Sequence, residues 1–423
     1  MDTSTTPFAG IVSSPSDSFK RVTLETFRNA TQGIPLTARL VLRLALNIKA
    51  GKLTVVLPNR QTLYFEGSES GVEATLVIHD YKFAKRLLIG GDPGFAEAYI
   101  RGEWSSPDIT SFIRLFCSNH ELVGRLSSSI SPLHWAQRLR HFLNKNTKSG
   151  SRRNIHAHYD LGNRFYESWL DRSMTYSSAL FTSDTEDLLS AQHNKYANLA
   201  KITGISAGDK VLEIGCGWGG FAEHAAMNYG CTVKAVTISR EQYEFASRRI
   251  FEAGLADRVE IALCDYRDIQ GQYDRIVSIE MFEAVGEEFW NSFFAKLNTL
   301  LHQGGTAGMQ VITIKDDIFD TYKQEIDFIR HYIFPGGMLP TPDIMEKLGK
   351  EAGLPLLRKQ AFGTDYARTL SIWRTQFHEA WLDIEKLGFD ERFRRLWNYY
   401  LHYCEAGFLS GNIDVHQLVY QKS

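Results

Sequence analysis

The chain has 423 residues, with 47 Lys and Arg against 49 Asp and Glu, a formal net charge of −2 and 43% hydrophobic residues. That length points to two or three domains, and the balanced charge leaves no bulk electrostatic basis for binding nucleic acid. Five cysteines without a CxxC spacing exclude a disulfide framework and point to reduced thiols in a cytoplasmic protein.

The N-terminal "MDTSTTPFAGIVSSPSDSF" has no basic region followed by an apolar core, so it does not read as a signal peptide. No run approaches the roughly 18 apolar residues of a membrane span, so any contact with a bilayer is expected to be peripheral. Residues 1–33 are Ser/Thr-rich and expected to fray. Over 34–121, helical "TARLVLRLALNI" precedes short alternating strands in "KLTVVLP", "QTLYFEG" and "ATLVIHD", then helical "YKFAKRLLIG" and "GFAEAYIRGEW". This pattern predicts a small α+β domain.

Residues 122–153 form a basic linker. Between Leu122 and Tyr159 there is no Asp or Glu, while Arg125, Arg138, Arg140, Lys145, Lys148, Arg152 and Arg153 are present. The segment reads either as a solvated linker or as a surface for an anionic partner such as phospholipid.

From about residue 185, strands and helices alternate: "KVLEIG", "GGFAEHAAMNYG", "TVKAVTI", "REQYEFASRRIFEAG", "VEIALC", "YDRIVSI", "EEFWNSFFAKLNTLL" and "TAGMQVITI". This predicts a doubly wound, mainly parallel α/β sheet. Beyond 316 the pattern is mostly helical. In "VLEIGCGWGG", Gly215, Gly217 and Gly219 follow the first strand and precede a helix, where glycine lets backbone approach a ligand closely. Gly220 also satisfies a dinucleotide-binding spacing, but "VTISREQ" brings no immediate acid at the end of the second strand. With Glu213 before it, this Gly-x-Gly-x-Gly resembles the first motif of class I S-adenosylmethionine-dependent methyltransferases, where an acid can accept hydrogen bonds from the cofactor's ammonium.

Several stretches in order, "HYDLGNRFYESWLDRSMTYSSALF", "VLEIGCGWGGFAEHAA", "DYRDI", "DRIVSIEMFEAVG", "YIFPGGMLP", "FGTDYARTL" and "YYLHYCEAGF", resemble the cyclopropane-fatty-acyl-phospholipid synthase family. The resemblance runs over about 156–420, and "GFAEAYIRGEWSSPD" resembles the family's smaller N-terminal domain. It implies a class I methyltransferase (Rossmann-like) domain over 154–423. It also implies methylene transfer from S-adenosylmethionine to the cis double bond of phospholipid acyl chains, at the inner face of the membrane, by a possible homodimer. Tyr176 and Ser177 would close over the cofactor, with Gly215, Gly217 and Gly219 as its cradle. Thr237, Ser239 and Gln242 would hold its far portion, and Tyr266 would lie near the adenine.

Methyl transfer to an alkene leaves a carbocation, which aromatic faces stabilise and which a base must then deprotonate in a dry chamber. In the family a bicarbonate ion is that base, held by a carboxyl, a cysteine backbone, a histidine and a tyrosine. Glu283 and Tyr366 match the carboxyl and the tyrosine. Two positions depart from the commonest pattern: Ser178 stands where many members have cysteine, and Gln310 where many have histidine, although plant-type members also carry glutamine. Ser178 is expected to offer its amide and hydroxyl to the anion.

"IVSIEMFEAVGEEF" places a second acid, Glu280, at the end of a buried strand, where it reads as a supporting group or as a partner of Arg275. Cys404 matches a functional cysteine of the family and reads otherwise as packing. Asp160 and Arg172 read as local fold contacts, and the spacing of His156 and His158 does not suggest a metal site. Three other outcomes stay open. They are methylene- or methyl-branched products from the same first step, a lipid-binding scaffold without activity, and a small-molecule N-methyltransferase.

Overall fold

A computed structural model describes residues 21–119 and 161–423. The basic linker, apart from its neighbours at 119 and 161, and His156, His158 and Asp160 lie outside the described residues, as does the chain before Arg21.

Apolar side chains at every second position build the first sheet. Strands β1 (Ala50–Val56), β2 (Thr62–Glu66), β3 (Glu69–Ile78) and β4 (Trp104–Ser105) lie in the order β2-β1-β3-β4. Leu53, Val55, Leu63, Phe65, Leu76 and Ile78 face inward, as period-2 patterning requires. Helices α1 (Leu36–Leu44), α2 (Lys82–Ile100) and α3 (Ile109–Cys117) accompany this sheet. The two expected helical pieces of α2 form one element broken at Gly91, whose φ of 57° and ψ of −139° interrupt the helix. Pro93 follows near the start of the second half, where its missing N–H costs no hydrogen bond. Residues 21–33, expected to fray, instead dock on this sheet. Val22 N–H bonds the Tyr64 carbonyl at 2.7 Å, and Val22 and Phe27 are buried.

The second sheet has seven strands in the order β10-β11-β9-β8-β5-β6-β7. Strands β5 (Lys210–Ile214), β6 (Thr232–Thr237), β7 (Val259–Leu263), β8 (Tyr273–Ile279) and β9 (Leu301–Ile314) are parallel. Their connecting helices include α4 (Leu188–Thr203) before β5, α5 (Gly220–Tyr229), α6 (Arg240–Glu252) and α7 (Trp290–Leu300). The chain runs outward from β5 to β7 and returns at β8, so the strand order reverses beside β5. Ligand sites of such sheets lie at the carboxyl ends of the strands at this reversal.

The region beyond residue 316 is mostly helical, as expected, and adds strands that the pattern does not show. Besides α8 (Gly363–Glu379) and α9 (Glu391–Leu409), it contributes two antiparallel strands, β10 (Leu356–Ala361) and β11 (Ile413–Gln421). Strand β11 is inserted between β9 and β10 and is buried on both faces from Val415 to Tyr420, which erases the alternation that would mark it. Helix α9 also clamps the N-terminal unit. Asn398 Nδ2 donates to Tyr99 Oη at 2.8 Å, Arg395 Nε to the Tyr99 carbonyl at 2.8 Å, and Thr110 Oγ1 lies 2.6 Å from His402 Nδ1. One hydrophobic core accordingly runs from Val22 to Val415 across both parts of the chain.

Candidate active site

The loop after β5 turns through Gly215, Gly217 and Gly219, with φ of 82°, 52° and 84°. A Cβ at Gly215 would meet the Met281 side chain at 2.7 Å, and one at Gly219 would meet Ala246 Cβ at 3.0 Å. Gly219 is the N-cap of α5. Glu213, only 2% exposed, projects from β5 beneath this loop, and its Oε2 is buried without a hydrogen-bond partner among the described residues. Burial pushes its pKa up to about 8, against the opposing pull of the Ala222 amide, Lys195 and Arg249. A buried acid with an unused oxygen, aimed into a cavity, fits the ammonium of S-adenosylmethionine.

Around the same edge, Thr237 Oγ1 donates to Gln242 Oε1 at 2.8 Å and accepts from the Ser239 amide at 3.1 Å. The Ser239 hydroxyl caps α6 by accepting from the Gln242 amide. Thr237, Gln242 and Tyr266 line the cavity, whereas Ser239 supports it from beneath. Burial raises the Tyr266 phenol to about 12, so it stays neutral. Asp265, which sequence reasoning missed, also lines this end, with its carboxylate chelated by Arg267 at 2.6 and 2.8 Å. Tyr176 lines the cavity, and its hydroxyl lies 2.7 Å from that of Tyr400. Ser177 accepts from Lys195 Nζ at 2.6 Å, and its carbonyl accepts from Gln192.

The reaction chamber is built around Glu280. Strand β8 ends at Ile279, and Glu280 adopts a φ of 49°, in the left-handed region that costs a side-chain-bearing residue about 1–2 kcal/mol. Its amide is fixed by the Gln310 carbonyl of β9 at 2.8 Å. Its carboxylate takes three hydrogen bonds: the Ser178 amide and Gln310 Nε2 donate to Oε1 at 2.9 and 2.7 Å, and Tyr366 Oη donates to Oε2 at 2.7 Å. Gln310 is oriented in turn by Gln417 Nε2, which donates to its Oε1 at 3.0 Å across the β9–β11 pairing. Tyr366 is fixed by stacking on Phe408, with centroids 4.3 Å apart. Burial raises the Glu280 pKa, opposed by Tyr366, Lys195, Gln310 and Ser178. The buried Lys195 is lowered to about 7 by desolvation, with Glu280 the strongest opposing charge.

This arrangement corrects three expectations. Glu280 is the centre of the site and not a partner of Arg275, which pairs with Asp209 at 3.4 Å. Tyr366, Gln310 and Ser178 do converge, but on Glu280 and not on Glu283. Glu283 lies one turn further on, in Phe282–Ala284. Its Oε1 accepts from the Ile312 amide at 2.6 Å, and its Oε2 is buried without a partner among the described residues. Burial, and then the neighbouring Glu280, push Glu283 up to about 8. Thirdly, the Ser178 hydroxyl does not face an anion; it donates to the Ala179 carbonyl at 2.9 Å. Cys404 lines the cavity as a neutral thiol, its pKa raised by burial.

One cavity of about 860 Å³ holds the cofactor edge and this chamber and continues to Leu53, Val55 and Leu76 of the first sheet and to Phe83, Leu87 and Phe112 of the helices beside it. Comparison with known proteins agrees with this geometry. The chain is 39% identical over 373 residues to the tuberculostearic acid methyltransferase of Mycobacterium tuberculosis, covering 84% of this chain and 86% of that protein. It is 34% identical over 353 residues to the cyclopropane-fatty-acyl-phospholipid synthase of Escherichia coli, covering 82% and 88%. The crystal structure of a mycolic acid cyclopropane synthase complexed with SAH and CTAB superposes with a TM-score of 0.61 at 30% identity, covering 64% of this chain and 98% of that one. Residues 146–418 match the model of the mycolic acid cyclopropane synthetase family; the chain belongs to that family and is an S-adenosylmethionine-dependent methyltransferase.

Proposed function

We propose that the protein transfers a one-carbon unit to the cis double bond of unsaturated phospholipid acyl chains and closes it into a cyclopropane. The observation that carries the reading is the position of the Glu280 carboxylate, where the cofactor edge opens into the long apolar cavity. The apolar lining of its far part, Leu53, Val55, Leu76, Phe83, Leu87 and Phe112, suits an acyl chain and offers little to a polar amine. When bound, S-adenosylmethionine supplies an electrophilic methyl group. The glycine loop and Glu213 hold its amino acid end, while Thr237, Gln242 and Tyr266 line the rest of its edge. Burial of the alkene beside them excludes water that would otherwise trap a cation. Tyr176, Tyr366 and Phe408 line the cavity, and an aromatic face turned to a cation stabilises it by about 0.5–2 kcal/mol.

No helix among the described residues is long and apolar enough to cross a membrane. We infer that the acyl chain is drawn from a bilayer that the protein meets at its surface. A second reading, a methylene branch formed from the same cation, is favoured by the similarity to a tuberculostearic acid methyltransferase.

Incubation with S-adenosylmethionine and vesicles of either unsaturated or fully saturated phosphatidylglycerol, followed by fatty-acid mass spectrometry, tests the reading. A one-carbon adduct on the unsaturated chains alone supports it, and resistance to mild hydrogenation separates ring from branch. Equal labelling of saturated vesicles, or none of either, contradicts it.

A further inference from the structure

The geometry points to Glu280 as the built-in base of the reaction, its carboxylate standing where the family resemblance would place a bound bicarbonate. The inference rests on the lipid-methylating reading above. The resemblance calls for an anion held by a carboxyl, matched by Glu283, and by the backbone amide at position 178, the side chain at position 310 and a tyrosine, matched by Tyr366. In this chain the Ser178 amide, Gln310 Nε2 and Tyr366 Oη all donate to Glu280, at 2.9, 2.7 and 2.7 Å. Three donors that would receive a diffusible ion are therefore already engaged by a covalently attached one.

The stoichiometry of donors identifies the working oxygen. A carboxylate oxygen accepts in about two directions. Oε1 of Glu280 uses both, for Ser178 and Gln310, whereas Oε2 uses one, for Tyr366. The remaining lone pair lies on Oε2, on a residue that lines the cavity. Glu280 also holds a φ of 49°, a conformation glycine would adopt more readily, and such outliers persist where the site requires the side chain. Of the two neighbouring acids, Glu280 has the donors that stabilise a charge, while Glu283 has a single backbone donor and a pKa of about 8 that leaves it protonated at neutral pH.

The step balances without any further reactant. In the cation left on the acyl chain, a C–H bond of the newly attached methyl breaks. Its electron pair forms the closing C–C bond and quenches the cation, and the proton passes to Glu280 Oε2 and then to water on product release. For a branch, a hydride first shifts from the methylated carbon to the cationic one. The same C–H pair then becomes the double bond of the methylene, and the proton again goes to Glu280.

Bicarbonate dependence and chemical rescue test the assignment. Wild-type turnover in carbon-dioxide-free buffer should equal that with added bicarbonate. Glu280→Gly, which suits the left-handed backbone, should keep its melting temperature and its S-adenosylhomocysteine affinity while turnover falls by about 10²–10⁴-fold. Added formate or bicarbonate should restore it at least in part by occupying the vacated donors. As a readout independent of turnover, ¹³C-formate should bind Glu280→Gly and not the wild type by NMR titration. The assignment is overturned by a wild type that loses activity without bicarbonate, by full activity of Glu280→Gly without an added anion, or by a variant that keeps cofactor affinity yet binds no formate. Absence of any acyl product from the wild type would instead sink the lipid reading, and the formate titration would still report on the anion site.

Discussion

Tyr366 donates its phenolic proton to Glu280 Oε2 at 2.7 Å, joining a residue of α8 to the one that follows β8. The two come from sequence positions 86 apart, and α8 packs on β11, which pairs with β9 beside β8. Removing the hydroxyl leaves the carboxylate with two donors, both on its other oxygen. A hydrogen bond to a charged group contributes about 1.5–3 kcal/mol, so Tyr366→Phe should lower turnover roughly tenfold to a hundredfold. Its cofactor affinity, measured by calorimetry, should stay unchanged; a drop in affinity of similar size would place Tyr366 in cofactor binding instead.

Glu213 makes cofactor binding a proton-linked event. In the free protein its carboxyl has a pKa of about 8 and is largely protonated at neutral pH, whereas an ammonium partner requires the carboxylate. Binding should therefore release up to one proton below pH 8. Affinity should rise with pH by up to about tenfold per unit and level off above that value. Calorimetry with S-adenosylhomocysteine in buffers of different ionisation heat measures the release. Buffer-independent heat in the wild type would count against the role, and Glu213→Gln should abolish the dependence.

Gly219 has φ of 84° and no room beside Ala246. Gly219→Ala combines left-handed strain of about 1–2 kcal/mol with a close contact, so its melting temperature should fall together with its cofactor affinity. Normal affinity with normal stability would show that the loop tolerates a different path.

Cys404 has its thiol held protonated by burial and no hydrogen bond that the reaction needs. Cys404→Ala should retain most turnover, with any loss in apparent affinity for the lipid as the cavity wall changes shape. A loss of turnover above about a hundredfold, the scale of a missing acid or base, would mark the thiol as chemical.

Local features of the sequence carried most of the catalytic fold. The glycine loop, Glu213 and the alternation from residue 210 to 314 follow from patterns a few residues long. Strand β11 was hidden because burial on both faces removes period-2 contrast, and β10 because its residues are largely exposed at the edge. The family resemblance points to Ser178, Gln310 and Tyr366, and to Glu283 as the acid beside them. Their convergence on Glu280 depends on the registers Ile279–Gln310 and Gln310–Gln417, which are long-range pairings. One signal was available: Glu280 is the first residue beyond a central strand of a doubly wound sheet, where such folds place their ligands.

Ring closure and methylene formation both require that a base take a proton from the carbon transferred to the lipid. S-adenosylmethionine carrying a trideuterated methyl, incubated with unsaturated phospholipid vesicles, tests it by the isotope content of the product. The transferred carbon should keep two of its three deuterons in every acyl product, whether ring or methylene branch. Retention of all three, or label found on no acyl chain, would contradict it.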